Sequence, residues 1–106
     1  MATIDDFRKI ELVIGEVKEV KDHPNADKLF VVKVDTGKEI RQVVAGIKKS
    51  YKPEDLVGRQ VVLVSNLDPA VIRGEESQGM ILAASDENGI CVLQPDKKVT
   101  LGSIAK

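Results

Sequence analysis

The two side chains most readily recruited as a base or a strong nucleophile near neutral pH each stand alone: His23 is the one histidine and Cys91 the one cysteine. The sequence shows no Ser-His-Asp order around the imidazole and no second His or Cys to complete a metal set, and a solitary thiol closes no intrachain disulfide. The informative residues are instead cations and amides beside turns. Lys28 follows a turn built from Pro24, Asn25 and Asp27, Asn66 ends an apolar strand pattern, and Arg73 precedes Gly74. Arg41 alternates with Ile40 and Gln42 on a strand pattern, and Ser77, Gln78 and Met80 surround Gly79. Ammonium, guanidinium, hydroxyl and amide groups at loop edges hold phosphate and 2′-hydroxyl oxygens, and a glycine lets backbone approach a ligand closely. Such chemistry suits binding rather than catalysis, with a solvated lysine the alternative at Lys28 and a core side chain the alternative at Met80. With no phosphate-cradling glycine loop and no cluster of metal ligands, neither an enzyme, a cofactor nor a metal is expected.

The elements that must carry these residues are mostly strands. Val- and Ile-rich runs at short spacing, broken by turn residues, predict an all-β barrel or sandwich. Segment 3–9 offers a Thr or Asp N-cap and early acids, hence a short helix. Segment 11–20 reads as a long strand in which Gly15 marks a bulge or bend. Runs 29–34 and 39–44 flank Asp35-Thr36-Gly37-Lys38 and should form a hairpin, with Gly37 at positive φ. Pro53 opens one helical turn that stops at Gly58. Runs 60–67 and 80–85 supply the fourth and fifth strands, and 68–79 reads as a long loop. Three strands, a helix and two strands is the order of the five-stranded OB-fold barrel.

The chain is thus expected to be a single domain over 1–106, with short helices, a barrel core at about 11–85 and a C-terminal β extension over 86–106. The extension opens with the hairpin signal Asn88-Gly89 and carries Ile90, Val92, Leu93, Val99, Leu101 and Ile104. Five strands already close the barrel, so these residues need another apolar surface, and a symmetric homodimer would supply it. A fold-back over the open end of the same barrel is the alternative. Within the strands, Ile40 is expected in the core and Arg41 on the outer face, or Arg41 in an ion pair with Glu39 or Asp35. Cys91, inside ICVL, reads as a buried thiol, and His23 as a turn residue whose ring bonds locally.

A net charge of −1 weighs against a polyanionic partner, but Lys28, Lys33, Arg41, Lys48, Lys49, Lys52, Arg59 and Arg73 all fall in the middle of the chain. With two Phe and one Tyr, no ladder of aromatics can stack on single-stranded bases, which leaves shape and phosphate contacts. No apolar run approaches the ~20 residues of a spanning helix, and the first residues lack a signal peptide's apolar centre, so the expected location is cytoplasmic without a membrane partner.

Four segments, HPNADKL (23–29), RQVVAGI (41–47), SNLDPAVIRG (65–74) and ESQGM (76–80), resemble in order and spacing the tRNA-binding domain family. Its members include methionyl-tRNA synthetase C-terminal modules and stand-alone tRNA-binding proteins. The likeness extends over about residues 5–104. It implies an OB-fold that holds the outer corner of folded tRNA with little dependence on base sequence, through Lys28, Arg41, Asn66, Arg73, Ser77, Gln78 and Met80. It also implies homodimerisation through the C-terminal part and, for an appended module, a methionyl-tRNA synthetase catalytic chain as partner. Related stand-alone domains include export-chaperone-like dimers, so a protein-interaction module is the rival reading. One departure stands out: where many relatives carry lysines, this chain has Asp68 and Val71.

Overall fold

The computed structural model describes residues 1–106. A short helix, α1 (Ile4–Arg8), begins at Thr3, whose hydroxyl accepts from the Asp6 amide while the Asp6 carboxylate accepts from the Thr3 amide. This reciprocal cap satisfies two of the donors that a helix start leaves free. The long strand β1 (Leu12–Asp22) follows, then β2 (Phe30–Asp35), β3 (Ile40–Ala45), the single turn α2 (Pro53–Leu56) and β4 (Gln60–Val64). Gly37 sits at φ 87° in the β2–β3 hairpin.

Residues 68–79 are not an irregular loop. Ala70–Ile72 (β5) pairs antiparallel with Glu75–Ser77 (β6), a small ribbon off the main sheet. The run 80–85 divides at Leu82 into β7 (Met80–Ile81), which pairs with β4, and β8 (Ala83–Asp86), which pairs with β9 (Gly89–Val92). Leu82 is the pivot: its amide donates to Val62 and its carbonyl accepts from Leu93. A last strand, β10 (Ile104–Ala105), pairs with the start of β1.

The main sheet runs β3-β2-β1-β4-β7, all antiparallel, a curled five-strand half-barrel of OB type with short helices. Curvature comes from β1. Its register against β2 shifts between Val17 and Glu19, so the bulge lies at Lys18 and not at Gly15. Gly15 serves close packing instead, because a Cβ there would stand 2.5 Å from a Val34 methyl and 3.1 Å from the Asp35 carbonyl oxygen. Lys18 points outward to Glu16, whose hydrogen bond and charge hold its ammonium above the usual lysine range.

Val17, Phe30, Val32, Val34, Val43, Val61 and Leu63 fill the interior, closed at one end by Leu56 of α2. The C-terminal segment also contributes. Val92 is buried in the same core and Ile90 packs against it, while the Val92 amide donates to the Tyr51 hydroxyl at 3.0 Å and the Ile90 amide to Ser50 Oγ at 3.0 Å. The Gln60 side-chain amide donates to the Val99 carbonyl and accepts from its amide, at 2.7 and 3.1 Å. Part of the extension therefore folds onto its own barrel, whereas Leu93, Val99 and Ile104 remain exposed. Cys91 alternates with buried Val92 and faces outward, so its thiol is exposed rather than buried. No helix is long and apolar enough to cross a membrane.

Candidate nucleic-acid interface

Lys28 and Arg73, distant in sequence, line one cleft of about 450 Å³ together with residues 25–27 and Leu29. Lys28 sits on the turn between β1 and β2, which is drawn closed by the bond from the His23 amide to the Leu29 carbonyl, 3.1 Å. The ring of His23, almost fully buried, organises the rest. Its Nδ1 accepts from the Asn25 amide at 2.9 Å, which places the proton on Nε2, and that nitrogen donates to the Ile72 carbonyl at 2.9 Å. The imidazole is a local turn residue as expected, and it also reaches the β5–β6 ribbon, a long-range partner that the sequence pattern does not disclose.

Arg73 and Gly74 form the two-residue loop of that ribbon, between paired Ile72 and Glu75, with φ of 52° and 92°. Two consecutive positive φ values make a type I′ turn, where Asn or Gly would ordinarily stand first. Arg73 is the one non-glycine residue in the left-handed region, at a cost of roughly 1–3 kcal/mol. Asn25 ties the two turns together, its Nδ2 donating to the Arg73 carbonyl at 3.2 Å. Neither Lys28 nor Arg73 enters an ion pair, whereas Lys48 is engaged by Asp22, Lys18 by Glu16 and Arg41 by Glu39. Asp27 is the one acid on the cleft, which leaves it with an excess of positive charge.

The other residues singled out from the sequence lie elsewhere, and most have spent their hydrogen-bonding groups inside the chain. Ile40 is exposed, and Arg41 shares the inward parity of Val43 and Ala45, so the expected assignment of faces on β3 is reversed. The guanidinium of Arg41 donates to the Ser65 and Gln78 carbonyls and pairs with Glu39 at 2.6 Å. Ser77 is buried; its hydroxyl accepts from the Val44 amide at 2.9 Å and donates to the Gly79 carbonyl at 3.0 Å. Gln78 Oε1 accepts from the Gln42 amide at 3.0 Å, and the Gln78 amide donates to the Gln42 carbonyl at 2.7 Å. Ser77 and Gln78 thus clasp the free edge of β3 and close the half-barrel. Gln78 Nε2 and Arg41 Nη2 keep donors free.

Asn66 is used at both ends: Oδ1 accepts from the Glu11 amide and Nδ2 donates to the Lys9 carbonyl, each at 2.8 Å, fixing the helix–strand junction. Gly79, at φ 147°, is required by packing, since a Cβ would stand 2.8 Å from the Val64 carbonyl oxygen. Met80 is exposed, on a separate apolar groove.

A curled antiparallel half-barrel with a cation-bearing cleft between its loops is the architecture of oligonucleotide-binding OB-fold domains. The chain belongs to the tRNA-binding domain family: the family model described as "Putative tRNA binding domain" matches residues 12–104. It is 58% identical over 99 residues to the methionine–tRNA ligase of Pyrococcus horikoshii, a match covering 93% of this chain and 14% of that protein. The chain therefore spans about one-seventh of the length of that relative. Among solved structures it is similar to a methionyl-tRNA-synthetase-related protein from the same organism, with a TM-score of 0.92, 33% identity, and 100% of this chain and 98% of that one covered. It is also similar to the CsaA chaperone protein of Picrophilus torridus, with a TM-score of 0.94, 29% identity and full coverage of both chains.

Proposed function

We propose that this domain binds the folded structure of tRNA with little dependence on base sequence, either as a module appended to a methionyl-tRNA synthetase or as a stand-alone tRNA-binding protein of the cytoplasm. The observation that carries this reading is the convergence of Lys28 and Arg73, two cations without acidic partners, on one cleft between hydrogen-bonded turns. Phosphate oxygens are the ligands that such a pair accommodates. Lys28 and Arg73 make the phosphate contacts, Met80 stands on the neighbouring groove, and Arg41, Asn66, Ser77 and Gln78 hold the scaffold. The domain's part is binding, and aminoacylation belongs to a catalytic chain that it would accompany. Competition distinguishes this reading: folded tRNA should displace a labelled tRNA, and unstructured RNA of equal length should do so far less well.

A homodimer completes the proposal. Ile4, Phe7 and Ile10 from the N-terminal segment gather with Ile104 and Ala105 around one apolar depression, and Ile4 and Ile104 are more than half exposed. A two-fold self-contact would cover this patch and set two modest cation pairs on one assembly. The second reading, a chaperone-like or protein-interaction dimer, is favoured by the exposed apolar groove at Leu67 and Met80 and by the likeness to CsaA. Displacement of tRNA by an apolar peptide would support it.

A further inference from the structure

Beside the Lys28–Arg73 cleft runs a second depression of about 380 Å³, mostly apolar, between the β5–β6 ribbon and the edge of the half-barrel. Val44, Leu67, Ile72 and Met80 line it, and Leu67 and Met80 are 40% and 46% exposed there. The two depressions share a wall. Ile72 of the groove immediately precedes Arg73 of the cleft, and Leu29 of the cleft lies 3.6 Å from where a Cβ on Gly46 of the groove would stand.

The groove has one charged group, Asp68, which is exposed and enters none of the chain's ion pairs. A carboxylate only accepts hydrogen bonds and repels phosphate, so an RNA backbone would avoid this groove while seeking the adjacent cations. What suits an apolar slot with an acceptor at its rim is a base whose edge offers donors. Guanine presents N1–H and N2–H side by side, a match for the two carboxylate oxygens. Uracil presents a single N–H between two carbonyls that a carboxylate would repel.

The geometry points to a pocket for one unpaired guanine of the bound RNA. The base lies against Leu67 and Met80 with its N1–H/N2–H edge on Asp68, and the adjoining phosphate rests on Lys28 and Arg73. This inference builds on the tRNA-binding reading and deepens it, for contact with a single base leaves the rest of the sequence unread. An apolar peptide would fill the slot but would leave Asp68 and both cations without a role.

The test exploits a conflict of sign. Asp68→Asn removes a negative charge from an RNA-facing surface, so long-range electrostatics alone would tighten tRNA binding. The guanine pocket demands a loss instead, of about tenfold, as expected for one bidentate pair. A tRNA transcript whose unpaired loop guanosines are replaced by inosine, which lacks the N2 amine but keeps N1–H, should lose affinity for the wild-type chain and lose less on Asp68→Asn than the guanosine transcript does. Thermal melting of the transcript checks that its own fold survives. Unchanged or tighter binding by Asp68→Asn overturns the pocket, as does a labelled apolar peptide that binds the wild type and is lost only on Met80→Ala. Failure of the wild-type chain to bind any tRNA would instead remove the underlying reading.

Discussion

The side-chain amide of Asn25 donates to the backbone carbonyl of Arg73 at 3.2 Å, and so joins the turn that carries Lys28 to the turn that carries Arg73. His23 bonds in parallel to the Ile72 carbonyl at 2.9 Å. The spacing between the two turns is therefore set by hydrogen bonds, the His23 bond part-buried and the Asn25 bond exposed, rather than by the long side chains themselves. This pre-positioning lowers the ordering cost that flexible surface lysines would otherwise meet on binding.

His23→Ala should lower stability by roughly 1–3 kcal/mol, because the part-buried Ile72 carbonyl and Asn25 amide lose their partner and the buried ring leaves a gap. Affinity for tRNA should fall as well, since the two turns are then held by Asn25 alone. Chemical denaturation together with a binding titration checks both effects. A variant as stable as the wild type would mean that the ring is not the link described.

Lys28→Ala and Arg73→Ala should each weaken tRNA binding by about 1 kcal/mol or more with little change in melting temperature, as exposed unpaired charges usually do. Arg73→Gly is a sharper form of the same experiment. It removes the guanidinium and also relieves the positive-φ strain, so binding should fall while stability holds or rises. If the arginine changes unfold the domain and spare binding, Arg73 is structural.

The clasp should behave in the opposite way. Ser77→Ala leaves the Val44 amide without its acceptor and should cost roughly 1–3 kcal/mol of stability. Leu63→Ala, inside the core, should cost roughly 2–5 kcal/mol. Tight tRNA binding should persist at temperatures where these variants remain folded. Loss of binding by a fully folded Ser77→Ala would return that hydroxyl to the interface.

Much of this arrangement was legible in the sequence, and the exceptions share a cause. The β2–β3 hairpin, the one-turn helix after Pro53 and the β8–β9 hairpin follow from local conformational rules at Gly37, Pro53 and Gly89, although the last loop is 87–88 and Gly89 already pairs with Asp86. The roles of Ser77, Asn66 and Arg41 do not, because a hydroxyl bonded to a backbone amide 33 residues away has the same local signature as one facing solvent. The parity of β3 misled for a related reason. Ile40 lies at the strand's start, opposite Asp35 and beyond the reach of the core, whereas Arg41 turns inward because the Ser65 and Gln78 carbonyls await it. Cys91 was misread because an apolar run does not reveal its own phase, and Val92 took the buried side.

Self-association should be visible by sedimentation equilibrium at micromolar concentration as a mass near twice 11.6 kDa. Ile104→Asp should reduce it, because Ile104 is exposed on the apolar patch and its loss leaves the core intact. Ile90→Asp should instead lower stability, since Ile90 packs against the core of its own chain. A monomer mass for the wild type would exclude the dimer and assign the patch another occupant.

Salt-dependent titration of tRNA reads phosphate contact directly, because each neutralised phosphate releases counterion and adds close to one unit to the slope of log affinity against log salt. For the wild type the slope should be steep, folded tRNA should outcompete unstructured RNA of equal length, and Lys28→Ala and Arg73→Ala should each reduce the slope by about one unit. Arg41→Ala, wherever it stays folded, should leave the slope unchanged. A flat salt response, or slopes that ignore Lys28 and Arg73, would contradict tRNA binding through this cleft.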